Sequence, residues 1–392
     1  MRPPLPLTAF ALTSGLGNST GDALAALKRG ERGLRAPPIA LPFKTVTGTI
    51  PFELPALPPQ YAHMESRSAR LALHAYEQIH GAVDNSLTRW GAKRVALILG
   101  TSTGGIDRTE YAHDAWWNAG QGDAPLPADY RYETQHPFHA FNDLIALRSG
   151  ILGPRYVVST ACSSSAKVFA SARRLIELDL VDAALVGGVD ALCNTTIRGF
   201  HGLGVMADRP CAPFGKDRPG MNVGEAAAFL MLERDGDALA ILRGVGESSD
   251  AYHMSSPQPE GLGAVAAMEA ALREAGINSS DVDYINAHGT GTRHNDAAES
   301  TALNHLFGSK TPVVSTKAYT GHTLGACGGA EAILSILSLQ HGFVPAALGS
   351  SPVDDNIDLY LPQTYEERPL RYALSNAFAF GGNNCSVLLE KA

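Results

Sequence analysis

The sequence predicts an α/β protein made of two similar halves. Short apolar runs with strand character alternate with segments whose apolar residues recur at helical spacing, over nearly all of the 392 residues. The order of these elements is similar before and after about residue 238, which predicts a first half of residues 1–238 and a second half of residues 239–392. No Gly/Ser-rich or charged linker separates the halves, so we expect them to pack tightly against each other.

The individual elements follow this alternation in order along the chain. The predicted strands cover residues 5–12, 95–99, 156–159, 183–189, 226–232, 239–245, 282–287, 313–315, 372–378 and 386–389, the last two as a hairpin. The predicted helices cover residues 22–28, 67–87, 163–178, 262–275, 297–306 and 330–340. Strands that alternate with helices favour a mostly parallel sheet with helices on both faces.

The composition restricts the class of function. Hydrophobic residues make up 45% and charged residues 18% of the chain, which is typical of a globular protein with a large core. The net charge of −8 and the lack of a basic stripe predict no nucleic-acid binding, and the apolar runs are too short for a membrane span. Residues 1–10 lack the pattern of a signal peptide. Five scattered cysteines without a CxxC pair predict a reducing, cytoplasmic location and no cysteine-based zinc site.

Cys162 is the first candidate for chemistry. It lies in the motif T-A-C-S-S-S at residues 160–165, between a predicted strand and a predicted helix. The free N–H groups at a helix N-terminus favour a thiolate, so this position makes Cys162 a candidate nucleophile. A buried structural cysteine is the alternative for this position. The remaining cysteines lack this setting and are expected in the core or in loops: Cys193, Cys211, Cys327 and Cys385.

Two histidines add to this candidate site. His288 lies in A-H-G-T-G-T at residues 287–292, and His322 ends S-T-K-A-Y-T-G-H at residues 315–322, so each histidine lies in a glycine-containing motif just past a predicted strand. Because the carboxyl ends of parallel strands meet at one edge of a sheet, both histidines are expected near a common site. Lys317 belongs to the second motif.

The C-terminal hairpin supplies a fourth motif, N-A-F-A-F-G-G-N-N at residues 376–384. Its turn is rich in glycine, so its main-chain N–H groups are candidates for an oxyanion hole and Phe380 is a candidate gate of a pocket. Without the other motifs, this segment would be interpreted as an ordinary hairpin.

Together, the four motifs resemble those of the β-ketoacyl-acyl-carrier-protein synthases I and II, which belong to the thiolase-fold superfamily. They follow the family's order from Cys162 to Asn384, and the N-terminal pattern of strands and helices is consistent with the family as well. The resemblance implies a five-layered α/β/α/β/α thiolase fold of two similar halves, with the active site at their junction. It also implies a decarboxylative Claisen condensation of an acyl thioester with a malonyl group on an acyl carrier protein.

The resemblance assigns a role to each central residue. Cys162 would accept the acyl group, and the N–H groups of Cys162 and Phe380 would form the oxyanion hole. His288 and His322 would serve decarboxylation and stabilise the enolate and the oxyanion, with the division between them left open. Lys317 would set the local field and support the protonation states of the histidines.

The resemblance also implies binding and supporting positions. Thr290 and Thr292 resemble the pair that binds pantetheine, and Thr103 resembles a residue that lines the acyl pocket. The supporting residues are the two acidic residues expected near the lysine and the two glycines of the gating turn: Asp296, Glu331, Gly381 and Gly382.

Several positions depart from the family pattern. Gly215 stands where the family usually has aspartate, Met221-Asn222 replaces the usual Phe-Val, and Ala379 replaces a frequent glycine. These departures favour a dedicated polyene or polyketide-like pathway over primary fatty-acid synthesis.

The family reaction implies no metal and no organic cofactor, because phosphopantetheine arrives on the carrier protein as part of the substrate. The expected partners are an acyl carrier protein and a second subunit, in a homodimer or in a heterodimer with a chain-length-factor-like protein. Arg67 and Arg70 lie in the segment that usually docks the carrier, but no basic cluster is evident there.

Other classes of protein fit the sequence less well. A thiolase would need a second catalytic cysteine near the C-terminus, and the surroundings of Cys385 do not resemble that motif. A type III synthase pairs its cysteine with histidine and asparagine, whereas this chain has a second histidine. A silent chain-length factor shares the fold but lacks the nucleophile. A papain-like protease is disfavoured by the sequences around the cysteine and the histidines.

Overall fold

The computed structural model describes residues 2–392 as a mixed α/β protein. Its strands are β1 (Leu5–Ser14), β2 (Val95–Gly100), β3 (Arg155–Val158), β4 (Ala183–Asp190), β5 (Ala226–Glu233), β6 (Ala240–Ser249), β7 (Tyr284–Asn286), β8 (Val313–Val314), β9 (Phe343–Val344), β10 (Glu366–Glu367), β11 (Tyr372–Ala379) and β12 (Asn383–Lys391). Its helices are α1 (Thr20–Arg29), α2 (Arg67–Tyr76), α3 (His80–Trp90), α4 (Ile106–Asn118), α5 (Tyr132–Gln135), α6 (Ala140–Ser149), α7 (Ser164–Glu177), α8 (Asn194–Gly202), α9 (Leu262–Ala275), α10 (Arg293–Phe307), α11 (Lys317–Thr320) and α12 (Cys327–His341).

The order of the strands is the same in both halves. Within residues 2–392, ten strands form one sheet in the order β3-β2-β4-β5-β1-β6-β12-β11-β7-β8. Each half contributes five strands to this sheet, since β9 and β10 pair separately with each other. Numbered along the chain within its own half, each set of five strands has the order third, second, fourth, fifth, first from the outer edge to the centre of the sheet. The two first strands join the sets, because residues 5–7 of β1 pair antiparallel with residues 240–242 of β6.

The expectation of a mostly parallel sheet is wrong. In each half the second, third and fourth strands run parallel to one another, whereas the fifth strand runs antiparallel to both the fourth and the first. Parallel neighbours need a long crossover between them, but β11 and β12 are joined by a short turn. A chain that turns back so directly must run antiparallel.

Two helices fill the space between the halves. The α7 helix contacts β2 and β4 on one side and β6 and β12 on the other, and α12 contacts β4 and β5 as well as β11 and β12. The α2 helix covers the outer face of the first half, and α9 covers that of the second. This arrangement gives the five layers expected of the thiolase fold.

A close contact between the central helices brings their N-termini together. A Cβ atom on Gly328 of α12 would lie 2.4 Å from the main-chain nitrogen of Ala166 in α7, so only glycine allows this approach. The contact places Cys327, at the start of α12, beside Cys162, and the Cys327 thiol donates to the Cys162 carbonyl oxygen over 3.1 Å.

Most predicted elements occur within a few residues of their predicted bounds, with two kinds of difference. The predicted helix over residues 67–87 is divided into α2 and α3 by a turn at residues 77–79. The sequence interpretation left out the helices α4, α5, α6, α8 and α11 and the short strands β9 and β10. No helix in the described residues is long and apolar enough to span a bilayer.

Candidate active site

The sequence-predicted residues meet at a cavity of about 440 Å³ between the two halves. Cys162 follows β3, His288 follows β7, His322 follows β8 and α11, and Phe380 follows β11. All four side chains line the cavity. The first half therefore contributes the thiol, and the second half contributes both imidazoles and the aromatic ring.

A strained turn holds Cys162. Ala161 has a φ of +51°, a left-handed conformation that a residue with a Cβ adopts at a cost. Its carbonyl oxygen accepts hydrogen bonds from Ser102 Oγ (3.1 Å) and Ser164 Oγ (2.6 Å), which fix the turn. Cys162 lies two residues before the start of α7, so it lies at the helix N-terminus as the sequence indicates.

Burial controls the protonation of this thiol. Burial raises the pKa of Cys162 to about 11, although the charge of Lys317 and the main-chain N–H groups of Phe380 and Cys162 lower it. The helix N-terminus and these donors favour the thiolate, as the sequence indicates, but desolvation of the charge outweighs them, so the resting thiol is neutral near pH 7. The two N–H groups near the sulfur are those of the predicted oxyanion hole.

His322 is oriented as a hydrogen-bond donor toward the thiol. Its Nε2 atom lies 3.0 Å from Cys162 Sγ, and its Nδ1 atom accepts the N–H of Leu324 over 3.2 Å. A neutral imidazole whose Nδ1 accepts must carry its proton on Nε2. Burial, and then the charge of Lys317, lower the pKa of His322 well below its ordinary value, so the ring is neutral near pH 7.

His288 lies against His322. The two rings are nearly perpendicular, at 87°, with centroids 5.3 Å apart. Burial, followed by the charge of Lys317, lowers the pKa of His288 well below its ordinary value. Within residues 2–392, His288 Nδ1 has no hydrogen-bond partner. Two neutral imidazoles therefore share the cavity floor with the thiol.

Lys317 forms a buried ion pair. Its Nζ atom lies 2.6 Å from Glu331 Oε1, and both side chains are almost fully buried. Burial lowers the pKa of Lys317, but the Glu331 carboxylate outweighs this effect and raises it, so the ammonium stays charged. A fixed positive charge behind the histidines explains part of their resistance to protonation.

The second predicted acidic residue, Asp296, forms no hydrogen bond or ion pair with Lys317 within residues 2–392. It accepts the main-chain N–H groups of Gly291 (3.1 Å) and Phe214 (2.8 Å) and thus holds the loop that contains Thr290 and Thr292. The hydroxyl groups of these two threonines are 2.8 Å apart, and both line the cavity.

Sequence reasoning missed Glu299. Its carboxylate accepts the N–H groups of His288 (2.7 Å) and Gly289 (2.6 Å) and fixes the backbone at the first histidine. Glu299 follows Asp296 by three residues on α10, so both point from one face of the helix. That spacing after A-H-G-T-G-T was the available signal.

Thr103 does not line the cavity, contrary to the expectation that it borders the acyl pocket. It is buried, and its hydroxyl and N–H both bond to Asp190, at 2.6 and 2.8 Å. Its side chain is engaged in the core of the first half.

The glycine turn after β11 closes the cavity. Gly381 and Gly382 have φ values of +81° and +72°, a consecutive left-handed pair that glycine adopts without strain. Gly381 donates its N–H to Met254 O (2.8 Å), and Gly382 O accepts the N–H of Asp250 (2.9 Å). These two hydrogen bonds hold the turn that follows Phe380 against the segment around Asp250.

The geometry of the three central side chains fits hydrogen bonding better than metal binding. One ligand atom each from Cys162, His288 and His322 lies within 4.8 Å of the others. The 3.0 Å separation of Cys162 Sγ and His322 Nε2 is shorter than the ~3.6 Å between sulfur and nitrogen ligands of tetrahedral zinc. The Nε2 atom also carries a proton, so it has no free lone pair.

The two arginines of the expected docking segment are engaged within the chain. Arg67 binds Glu225 through its Nε atom at 2.7 Å, and Arg70 binds Glu65 through its Nε atom at 2.5 Å. Neither cation is left without an acidic partner.

Comparison with known proteins identifies the family. Residues 49–238 match the N-terminal domain of β-ketoacyl synthases and residues 239–351 match their C-terminal domain. The chain is 34% identical over 334 residues to 3-oxoacyl-[acyl-carrier-protein] synthase 2 of Vibrio harveyi, covering 79% of each chain. It is 32% identical over 403 residues to nodulation protein E of Rhizobium meliloti strain 1021, covering 98% of each.

A solved structure extends this similarity to nearly the whole fold. The chain superposes with a TM-score of 0.93 and 39% identity on a chain from the complex of a ketosynthase with its chain length factor, from Xenorhabdus doucetiae. The match covers 99% of this chain and 98% of that one. The chain therefore belongs to the β-ketoacyl synthase family, the acyltransferase-type condensing enzymes of the thiolase fold.

Proposed function

We propose that this chain is the catalytically active ketosynthase subunit of its assembly, with Cys162 as the acyl-carrying nucleophile. The observation that carries the proposal is the 3.0 Å contact between Cys162 Sγ and the Nε2 atom of a neutral His322, beside His288 in a substrate-sized cavity. A silent chain-length-factor subunit would have no use for a thiol set against two N–H groups and two imidazoles.

The first step transfers an acyl group from carrier-bound pantetheine to Cys162. The thiol sulfur attacks the thioester carbonyl, and the N–H groups of Cys162 and Phe380 stabilise the oxyanion, each worth roughly 3–4 kcal/mol. The C–S bond to pantetheine then breaks. Because His322 Nε2 already carries a proton, the proton of the thiol leaves on the pantetheine sulfur, which restores a neutral thiol on the carrier.

The second step forms the carbon–carbon bond. Loss of CO₂ from a malonyl thioester leaves an enolate, whose oxygen accepts hydrogen bonds from the N–H groups of His288 and His322. The enolate carbon attacks the acyl carbonyl on Cys162, the C–S bond breaks, and the sulfur takes up one proton. The products are a β-ketoacyl thioester, CO₂ and free Cys162, so the reaction needs no metal or organic cofactor.

The threonine pair fits the arriving pantetheine arm. Thr290 and Thr292 line the same cavity as Cys162, and their hydroxyl groups are close enough to bond an amide of the arm together. Arg293 and His294 continue the lining at the start of α10. This arrangement supports an acyl carrier protein as the partner that delivers the substrate.

The second subunit is proposed to be a chain-length-factor-like protein, in a dedicated polyene or polyketide-like pathway. The similarity over almost the full length to a chain of a ketosynthase–chain length factor complex supports this choice over a homodimer. The departures at Gly215, Met221 and Ala379 agree with it. The five cysteines are free thiols, which agrees with the reducing cytoplasm.

The intact mass of the chain after incubation with acyl-carrier-protein thioesters tests the proposal. We expect a gain equal to one acyl group in the wild type and none in Cys162→Ala. No gain with any acyl group, alone or with a chain-length-factor-like subunit present, would overturn the assignment of Cys162. Comparison of the rates with and without that subunit tests the heterodimer.

A further inference from the structure

We infer that Asp190, at the end of β4, is a positioning residue that holds the nucleophile turn and the His322 turn in one arrangement. Asp190 is fully buried and touches neither the cavity nor Cys162. The inference rests on the proposed roles of Cys162 and His322 and adds the group that fixes their relative position.

The Asp190 carboxylate organises the turn after β2. Its Oδ1 atom accepts the hydroxyl groups of Thr101 (2.7 Å) and Thr103 (2.6 Å) and the N–H of Thr103 (2.8 Å). Both carboxylate oxygens lie 3.0 Å from the N–H of Ser102. These partners are neutral donors, so the carboxylate serves as a convergent acceptor for this turn.

One chain of hydrogen bonds leads from Asp190 to the residue before Cys162. The turn held by Asp190 presents Ser102 Oγ, which donates to the carbonyl oxygen of Ala161 over 3.1 Å. Ala161 has the strained positive φ that directs the next residue, Cys162, into the cavity. Asp190 thus supports the strained conformation through one intermediate residue.

A second hydrogen bond links Asp190 to the turn that orients His322. Asp190 Oδ2 accepts the N–H of Ala326 over 3.0 Å, in the turn whose Leu324 N–H fixes the tautomer of His322. The two turns touch directly, because a Cβ atom on Gly325 would lie 2.6 Å from Ser102 Oγ. A single carboxylate therefore joins the turn of the first half to that of the second.

The charge of Asp190 works against the nucleophile. The negative charge raises the pKa of Cys162, as burial does, so the benefit of Asp190 to catalysis is geometric rather than electrostatic. Replacement of Asp190 by asparagine removes the charge and disturbs the hydrogen bonds at the same time. Loss of the charge alone would lower the pKa of Cys162 and favour the nucleophile, so a loss of activity would have to come from the disturbed geometry.

The test compares Asp190→Asn and Ser102→Ala with the exposed control Asp237→Asn in the full chain with its partners. We expect kcat to fall at least 100-fold in Asp190→Asn and three- to tenfold in Ser102→Ala, with the KM for the acyl carrier unchanged within twofold. In ¹⁵N-histidine spectra, Asp190→Asn should lose the pure Nε2–H tautomer of His322, whereas Ser102→Ala and Asp237→Asn should keep it.

The outcomes separate this inference from the proposed function. A folded Asp190→Asn that retains wild-type kcat and the Nε2–H tautomer would overturn the inference. If Asp190→Asn does not fold, unchanged kcat in Ser102→Ala would overturn it as well. The tautomer measurement does not depend on turnover, so failure of wild-type acylation would reject the proposed function and leave the role of Asp190 to be decided by the spectra.

Discussion

The two halves of the molecule share one strand order, but they contribute different chemistry. In each half a turn connects the third strand to a central helix: β3 to α7 in the first, β8 to α12 in the second. Ala161 and Leu324 each lie three residues before the first residue of the helix, and both have a positive φ, +51° and +55°. The same local geometry therefore occurs twice.

The next position in the two turns decides which half carries the nucleophile. Cys162 follows Ala161, whereas Gly325 follows Leu324. A Cβ atom on Gly325 would lie 2.6–2.7 Å from atoms of Ser102, so no side chain fits there. The second half instead lengthens its turn and places Lys317 and His322 in it. Two halves with the same fold can therefore contribute different groups to one reaction. Here the first half carries the nucleophile, because Ser102 leaves no space for a side chain at the equivalent position of the second half.

The largest expected effect is the loss of condensation when Cys162, the residue that distinguishes the first turn from the second, is removed. Cys162→Ala should lower condensation at least ~10³-fold, because no other thiol lines the cavity in the described residues. The double variant Cys162→Ala/Gly325→Cys should restore no acylation, since the second turn has no space for a side chain. An acyl mass gain in the double variant would contradict the proposed difference between the turns.

The second prediction concerns the contribution of the other half. His322→Ala and His288→Ala should each lower condensation roughly 10²–10³-fold, as removal of a donor to a developing oxyanion does. Steady-state production of β-ketoacyl thioester measures the effect, with exposed His305→Ala as the control. Wild-type rates in both variants would show that the second half does not supply the donors.

A third prediction tests the close contact between Gly325 of the second turn and Ser102 of the first half. Gly325→Ala should destabilise the fold by about 1–3 kcal/mol, because the added methyl group must displace the backbone at Ser102. Gly81→Ala is the matched control, since no heavy atom of residues 2–392 lies within 4 Å of its added Cβ and alanine favours a helix. Urea unfolding of both variants measures the difference. Equal stabilities would mean that the two turns are not in close contact.

The last prediction is a pH dependence of stability that arises from the second half. Burial lowers the folded-state pKa of His288 and His322 well below the unfolded value of about 6.5, so the unfolded chain binds protons first as the pH falls. Stability from these groups is complete above pH ~6.5 and decreases below it, by up to ~1.4 kcal/mol per pH unit for each histidine.

Urea unfolding between pH 8 and pH 5 checks this dependence. A variant with both histidines replaced by Asn should show a weaker loss of stability over the same interval than the wild type. An identical slope would place the titrating groups outside the active site.

The sequence allowed the fold and the central residues to be predicted, because their motifs are local. Cys162, His288 and His322 each lie in a short motif that follows a strand, so these motifs were sufficient to name them as candidates, and the family resemblance supplied the five-layered fold and the roles. Two of the helices that were missed, α4 and α6, lack a clear periodic apolar stripe. The α4 helix buries only Ala112, whereas α6 is buried on nearly all sides.

The hydrogen bonds of two other assigned residues could not be predicted from the sequence. Thr103 and Asp296 were assigned by family position, but their hydrogen-bond partners, Asp190 in one case and Phe214 in the other, are distant in sequence. The raised pKa of Cys162 could not be predicted from its motif, because burial of the thiol depends on the second half, which the motif around the cysteine does not contain.

The contact between α7 and α12 has a consequence for the newly made chain. During synthesis, Cys162 leaves the ribosome 160 residues before His322, together with a half that has no cover for its inner face. Until α12 closes over α7 through Gly328, the thiol lacks the apolar surroundings that keep it protonated, and small electrophiles and oxidants reach it more readily than in the finished protein. The closing helix therefore shields the thiol chemically once the second half has been made, in addition to its part in the fold.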